Sequence, residues 1–208
     1  MTDTLTGRQF WEEIDIARDR MTIAQLSEGC GILLSLLTST RQRQSFLNFE
    51  NSLRICRYLS IDMNSFIPCD ARENDRLVES VHIDPNDKVG TQFWQILDDV
   101  MRYRGWSWRY VALKCNIPTT TISTAKNESR TLPFDVSLNL LKGMDMTPDA
   151  LAKIIHINEG VASCQLEPQK KSDVDIKRDR LIRTIKRLDE LALDKVIEYV
   201  DFIRSKKE

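Results

Sequence analysis

The sequence predicts an all-α protein made of two tandem helical bundles and an amphipathic helical segment near its C-terminal end. Three observations lead to this fold class. Apolar residues recur at the three- and four-residue spacing of α-helices. The chain has 208 residues, of which 41% are hydrophobic and 29% are charged, a balance typical of helix-rich proteins that can build cores. Finally, one pattern of residues occurs twice along the chain.

The repeated pattern runs through two successive stretches of the chain. FENSL at residues 49–53 recurs as FDVSL at residues 134–138, an offset of 85 that holds without a gap through the helices before and after it. Upstream, FWEEI at residues 10–14 matches FWQIL at residues 93–97 at an offset of 83. An ungapped register through helices and turns indicates a duplicated module. Chance similarity between two amphipathic regions is the alternative.

Composition and the repeat divide the chain into five predicted segments. A first, degenerate module is followed by a polar linker, a second module, a second linker and a helical tail suited to self-association. Their bounds, in chain order, are residues 8–67, 68–90, 91–157, 158–175 and 176–208. In the tail, apolar residues at helical spacing predict two amphipathic helices, or one that is interrupted near Asp194.

The second module shows its predicted helices most clearly. Its first helix ends at Gly105, and Ser107 is a favourable N-cap for the second helix. Asn116 ends the second helix, because asparagine tolerates the left-handed conformation that a tight turn requires. Thr119 is predicted to cap the third helix.

The third helix of this module, residues 119–127, is polar on most of its surface. Ile122 and Ala125 are predicted to point into the core. Pro133 and Pro148 open the fourth and fifth helices, since proline is tolerated in the first turn of a helix. The first module is predicted to contain the same succession of about five short helices.

Several classes of protein are disfavoured by composition. No apolar run approaches the 18 or more residues of a membrane span, and the N-terminal sequence MTDTLTGRQFWEE lacks the features of a secretion signal. The five cysteines are scattered singly, which argues against a zinc site or a disulfide framework. We therefore expect a cytoplasmic protein with no metal ion and no cofactor.

The two histidines give little support to a catalytic function. His82 lies in the first predicted linker and His156 lies near the end of a predicted helix. Neither is accompanied in the sequence by a nucleophile or a pair of carboxylates suited to acid and base catalysis. We therefore expect a protein that is not an enzyme.

Charge is segregated along the chain, although the net formal charge is only −1. The stretch from Arg102 to Arg130 contains six basic residues and one acidic residue, Glu128. A local positive surface can attract a polyanion such as DNA even when the whole chain is nearly neutral.

The same stretch carries a spaced set of small, apolar and turn-forming residues. The set comprises Gly105, Ser107, Val111, Ala112, Asn116, Ile117, Pro118, Ile122, Ser123, Lys126, Asn127, Glu128 and Pro133. With this set, residues 92–155 resemble the XRE/phage-repressor (Cro-like) family of helix-turn-helix transcriptional regulators. The resemblance implies a short helix, a tight turn and a recognition helix that enters the major groove of DNA.

The resemblance also implies roles for individual residues of the second module. The residues on or beside the base-facing side of the recognition helix are Thr119, Thr120, Thr121, Ser123 and Thr124. The residues near DNA phosphates are Ser107, Trp108, Arg109, Lys126, Asn127 and Arg130. The implied protein is a sequence-specific transcriptional regulator that binds double-stranded DNA as a homodimer on a palindromic site.

The first module departs from this pattern in its third helix. Its segment 31–45 reads GILLSLLTSTRQRQS, and Leu33, Leu34 and Leu36 stand where the second module has a proline and two threonines. Leucines against base edges would leave base hydrogen bonds unmet, so we expect them to pack against the other module, a second subunit or another protein. The two arginines of this segment leave a role in DNA binding open. The alternative function is a protein-interaction scaffold that does not bind DNA. A further possibility keeps DNA binding but makes the two modules a pseudo-dimer within one chain.

Overall fold

Ten α-helices and one turn of 3-10 helix make up the part of the chain that the structure describes. The computed structural model describes residues 5–67 and 72–157, which belong to one unit spanning residues 1–165. Most residues in the described ranges are helical and none of them lies in a β-strand, so the all-α prediction is confirmed. The predicted linker 158–175 and tail 176–208 lie outside the described residues.

The helices fall into two successive sets. The first set is α1 (Gly7–Arg18), α2 (Ile23–Cys30), α3 (Leu34–Gln42), α4 (Phe49–Tyr58) and the 3-10 turn (Met63–Phe66). The second set is α5 (Asp75–Glu79), α6 (Val89–Arg104), α7 (Trp108–Lys114), α8 (Thr119–Asn127), α9 (Phe134–Gly143) and α10 (Pro148–Ile154). We call residues 5–67 the first half and residues 72–157 the second half.

Most helix ends of the second half lie where the sequence predicted them. Gly105 and Asn116 follow α6 and α7 in the left-handed conformation, with φ angles of 65° and 52°. Ser107 caps α7, and its hydroxyl oxygen accepts a hydrogen bond from the amide of Tyr110 at 3.2 Å. These local signals depend on single residues and their immediate neighbours, which is why they could be predicted.

The start of α8 differs from the prediction. Thr119 is the first residue of the helix rather than its cap, and the cap position is taken by Pro118, which makes no side-chain hydrogen bond. Because proline has a fixed φ, here −57°, it directs the chain into the helix without a capping hydroxyl. Pro133 takes the corresponding place before α9, and Pro148 is the first residue of α10.

Contacts within each half recur at the offsets seen in the sequence. The indole nitrogen of Trp11 donates to the carbonyl of Ser45, and that of Trp94 donates to the carbonyl of Arg130, both at 2.9 Å. Each contact holds the loop after α3 or α8 against α1 or α6. The helices α3 and α8 have the same length and lie 85 residues apart, as do α4 and α9.

Close packing at the start of α1 and α6 requires glycine in both halves. A Cβ atom on Gly7 would lie 1.8 Å from the carbonyl oxygen of Gln44, and one on Gly90 would lie 1.9 Å from that of Ser129. Gln44 and Ser129 both have a φ of 50°. The two halves therefore share an uncommon loop conformation as well as their helix bounds.

The two halves pair with each other through reciprocal contacts. The amide of Phe49 donates to the carbonyl of Leu132 at 2.9 Å, and the amide of Phe134 donates to the carbonyl of Leu47 at 2.8 Å. These residues correspond at the offset of 85, so each half gives the other the same hydrogen bond. Reciprocal contacts of this kind are typical of an interface between two copies related by a twofold axis.

Four phenylalanines form the centre of the contact between the halves. Phe10 lies 5.2 Å from Phe134, and Phe93 lies 5.1 Å from Phe49, measured between ring centroids. All four side chains are fully buried. Because burial of such a side chain contributes about 1.5–3 kcal/mol, the halves are joined by a shared hydrophobic core.

Part of the predicted linker 68–90 is folded onto the second half. The side-chain amide of Asn74 donates to the carbonyl of Met144 at 2.6 Å, and its oxygen accepts from Arg104 at 2.6 Å. Asn74 and Val78 are both buried. Burial and hydrogen bonding hold this stretch, which includes the short helix α5, against the second half.

Candidate nucleic-acid interface

Helix α8 is held on the second half by its apolar side. Ile122 and Ala125 are buried, as the sequence predicted. The helix packs against α6 and α7, and residues 115–118 form the turn between α7 and α8. Ile117 in this turn is also buried. The position of α8 is therefore fixed by core contacts, which leaves its outward side chains without a packing role.

The outward side of α8 is polar and exposed along its length. The exposed residues are Thr119, Thr120, Thr121, Ser123, Thr124 and Asn127. The hydroxyl of Ser123 donates to the carbonyl of Thr120 at 3.1 Å. Within the described ranges, the four threonine hydroxyls form no hydrogen bond, so each can donate to or accept from a ligand.

Lys126 is held against the body of the second half. Its Nζ lies 2.6 Å from Oδ1 of Asp98 on α6 and 5.2 Å from the centre of the Trp108 ring. The indole nitrogen of Trp108 donates to the same carboxylate oxygen at 3.0 Å. These three side chains, which we call the Asp98 cluster, join α6, α7 and α8.

The other residues predicted to contact phosphates differ in their freedom. Arg130 forms an ion pair with Glu128, and both side chains are more than half exposed. Ser107 is engaged as the cap of α7. The side chain of Arg109 is exposed and forms no ion pair or hydrogen bond with any other described residue. Of these residues, Arg109 can therefore meet a phosphate without first leaving a partner.

Helix α3 occupies in the first half the place that α8 occupies in the second. Leu37 is buried, whereas Leu33, Leu34 and Leu36 are exposed by 75%, 46% and 37%. We call these three exposed residues the leucine patch. The described part of the second half does not cover them, so packing against the other module, one of the predicted alternatives, does not occur.

An ion pair between α1 and α3 corresponds to the contact between Asp98 and Lys126. Nη2 of Arg41 lies 2.9 Å from Oδ2 of Asp15, and Nε of Arg18 lies 2.7 Å from Oδ1. Burial raises the pKa of the Asp15 carboxyl, but the hydrogen bonds and the positive charges of the two arginines together outweigh burial, and the pKa is lowered. Arg41 is therefore engaged within the first half.

Two features of this surface were not predicted from the sequence. One is the role of Asp98. Asp98 and Asp15 occupy corresponding positions, and a basic residue follows Asp98 by 28 residues and Asp15 by 26 residues. That recurrence was the available signal. Leu113 and Tyr110 of α7 are exposed by 82% and 47%, and no local pattern distinguishes them from residues that pack in the core.

The remaining chemically reactive side chains are dispersed. Among the described residues, no group of three or more His, Cys, Asp or Glu side chains is arranged to hold a metal ion. The carbonyl of His82 accepts from Gln95 at 3.0 Å, and the amide of His156 donates to Gln92 at 2.6 Å. Burial raises the pKa of the Cys30 thiol to about 12, so this thiol stays protonated at neutral pH.

Comparison with known proteins finds no relative of this chain. No family model, curated protein or solved structure matches the chain. Along the described residues, none of the helices has both the length and the apolar character needed to cross a membrane. A function is therefore inferred from the side chains of the two halves themselves.

Proposed function

We propose that the protein is a sequence-specific transcriptional regulator that binds double-stranded DNA with α8 as its recognition helix. The observation that carries the proposal is the exposed polar face of α8, anchored from behind by Ile122 and Ala125. A purely structural helix gains little from three successive threonines. A helix that reads bases needs side chains that donate and accept hydrogen bonds, and α7, the turn and α8 supply the arrangement for it.

The residues on the first two turns of α8 recognise the bases. Thr119, Thr120 and Thr124 offer hydroxyls to base edges and methyl groups to the methyl of thymine. Thr121 and Ser123 lie beside them. Because a threonine hydroxyl accepts as readily as it donates, these residues are compatible with several base pairs.

Three basic residues supply positive charge for the phosphate backbone. Arg109 has an exposed side chain that meets a phosphate directly. Lys126 exchanges the carboxylate of Asp98 for a phosphate, and Arg130 exchanges its neighbouring glutamate in the same way. Because each exchange gives up an existing ion pair, these two residues contribute less than Arg109. Amides at the start of α8 and the side chain of Asn127 add hydrogen bonds to phosphates.

The proposal is tested first by selection from random double-stranded DNA with the purified full chain. The selected duplexes and scrambled controls are then bound at low and moderate salt. We expect a preferred motif and an affinity that falls steeply as the salt concentration rises, because cations are released from the phosphates on binding. Absence of binding at low salt contradicts the proposal.

A matched pair of variants tests whether α8 reads bases. Thr120→Ala removes an exposed hydroxyl and methyl group from α8, and Ser35→Ala removes the exposed hydroxyl at the corresponding position of α3. We expect Thr120→Ala to reduce the preference for the selected motif over scrambled DNA by about tenfold. Ser35→Ala should leave that preference unchanged. Equal effects of the two variants contradict the role of α8.

A second candidate function is a protein-interaction scaffold that does not bind DNA. The leucine patch favours it, because large apolar side chains grouped on an exposed surface mark interaction sites. Leu33 alone is exposed by 75%. This candidate gains support if the full chain shows no binding to DNA at low salt while Leu33→Ser changes its association with protein partners.

A further inference from the structure

We propose that one chain acts as its own dimer and binds a single, non-palindromic duplex site, whose bases are read by α8 alone. This inference rests on the proposed function and concerns the form of the DNA target. It stands against the homodimer on a palindrome that the family resemblance implies. The contact between the halves, the equivalence of α3 and α8, and the different side chains of these helices support it.

The contact between the halves has the form of a twofold interface within one chain. An isolated antiparallel bridge joins Asn48 to Pro133. Pro133 is the residue that corresponds to Asn48 at the offset of 85. Phe49 lies 6.3 Å from its counterpart Phe134, measured between ring centroids. Contacts between equivalent residues lie at the axis of a twofold dimer. The surface through which two such halves pair is therefore already occupied inside the chain.

The helices α3 and α8 are equivalent elements of this internal dimer. Each has nine residues, and neither has a side-chain hydrogen bond at its N-cap. A left-handed residue precedes each of them, Gly31 with a φ of 63° and Asn116 with a φ of 52°. Each is anchored by a buried aliphatic residue, Leu37 or Ile122. In a twofold pair of helix-turn-helix units, these are the two recognition helices.

The side chains of α3 do not suit the reading of bases. Leu34 and Leu36 stand at the positions of Thr119 and Thr121. A leucine can touch the methyl of thymine, but it leaves every donor and acceptor of a base edge without a partner. Only one of the two equivalent helices is therefore equipped for sequence recognition.

Because only one of the two helices can recognise bases, the DNA site is expected to lack an inverted repeat. A palindrome repeats one motif on both strands, and reading both copies requires two recognition helices of the same sequence. One chain supplies only one such helix, and the surface that would pair it with another half is occupied by the first half. The preferred site is therefore one motif without an inverted repeat, bound by one chain.

The test uses the full chain and the motif obtained by selection. Three duplexes of equal length carry one motif, an inverted repeat of the motif with centres about 10 base pairs apart, or a scrambled sequence. Native mass spectrometry gives the number of chains per duplex, and fluorescence anisotropy gives the affinity. We expect one chain on the single motif, and no more than about twofold tighter apparent binding to the inverted repeat, the statistical effect of two independent sites.

Two results overturn the inference while leaving DNA binding by α8 intact. One is a selected motif that is itself an inverted repeat, or cooperative binding of two chains to the inverted repeat about tenfold or more tighter than to the single motif. The other is a different selected motif for the Leu34→Ser variant. If α8 alone reads the bases, a substitution on the exposed side of α3 leaves the selected motif unchanged. Absence of any selected motif, together with no binding at low salt, instead overturns the proposed function.

Discussion

Asp15 and Asp98 play the same part at corresponding positions of the two halves. Each carboxylate lies on the helix that opens the repeat and holds a basic residue of the following α3 or α8, Arg41 or Lys126. In the second half, Trp108 adds a hydrogen bond to the carboxylate. Since partly exposed ion pairs contribute about 1 kcal/mol or less, these contacts orient α3 and α8 more than they stabilise the fold.

Replacing Asp15 with asparagine tests this ion pair through its pH dependence. Burial raises the pKa of Asp15, but Arg41 and Arg18 lower it further, so the folded-state pKa lies below its ordinary value. Such a carboxyl stabilises the fold above its unfolded-state pKa of about 3.9 and loses that contribution as pH falls through the folded-state value. We expect Asp15→Asn to lower the free energy of unfolding at pH 7 by about 1 kcal/mol or less.

Urea unfolding at pH 7 and at pH 3 measures the effect of Asp15→Asn. The deficit should shrink at pH 3, because below the unfolded-state pKa of about 3.9 the unfolded chain takes up a proton at Asp15, so the stability that the lowered folded-state pKa provides is progressively lost. Asp99→Asn is a suitable control, since the arginine that Asp99 contacts is 79% exposed and little should change at either pH. A deficit of equal size at both pH values would show that charge on Asp15 does not stabilise the fold.

At the scale of elements, local signals and distant contacts differed in how far they could be predicted. Ser107 and Asn116 lie where the sequence placed them, because a cap or a left-handed turn depends on one residue and its neighbours. The all-α fold was predicted from the helical spacing of apolar residues, which is also a local pattern. The contact of Phe49 with Phe93 could not be predicted, because two modules with apolar faces can pair in many ways. The Asp98 cluster likewise joins three helices and has no local pattern.

Substitutions along α3 distinguish its exposed side from its buried side. Leu33→Ser combined with Leu34→Ser should lower the free energy of unfolding by no more than about 0.5 kcal/mol, because the loss of exposed side chains has a small effect and serine at Leu33, the N-cap of α3, can add a capping hydrogen bond. Leu37→Ala on the same helix should cost about 2–5 kcal/mol, because Leu37 is fully buried and its loss leaves a cavity. Urea unfolding measures both values.

The same double variant tests whether the leucine patch drives association. Light scattering at increasing protein concentration should show less association for Leu33→Ser with Leu34→Ser than for the wild-type chain, because exposed apolar area is removed. Destabilisation as large as that of Leu37→Ala would contradict the exposure of the patch. Unchanged association would show that the patch does not bring chains together.

At the scale of the molecule, the two halves share one hydrophobic core. Phe134 of the second half contacts Phe10, Phe49 and Phe66, at centroid distances of 5.2, 6.3 and 5.3 Å. All four rings are buried. A substitution of Phe134 therefore removes contacts with residues of the first half, although Phe134 belongs to the second half.

Phe134→Ala is the sharpest test of this shared core. Loss of a buried phenylalanine costs about 3–5 kcal/mol, a large share of the roughly 5–15 kcal/mol that stabilises a domain. Because the core is shared, amide hydrogen exchange should accelerate in α2 of the first half and α7 of the second half alike, even though neither helix carries the substitution. Phe49→Ala, its counterpart, should have the same distributed effect.

Phe46→Ala provides the matched control for these two variants. Phe46 is only partly buried and touches Phe10 within the same half, at 5.7 Å between centroids. Its loss should destabilise the protein less than the loss of Phe134, since less apolar surface is removed from the core. Acceleration of exchange confined to the second half in Phe134→Ala would mean that the halves unfold independently. In that case the reciprocal hydrogen bonds would join two modules that unfold separately.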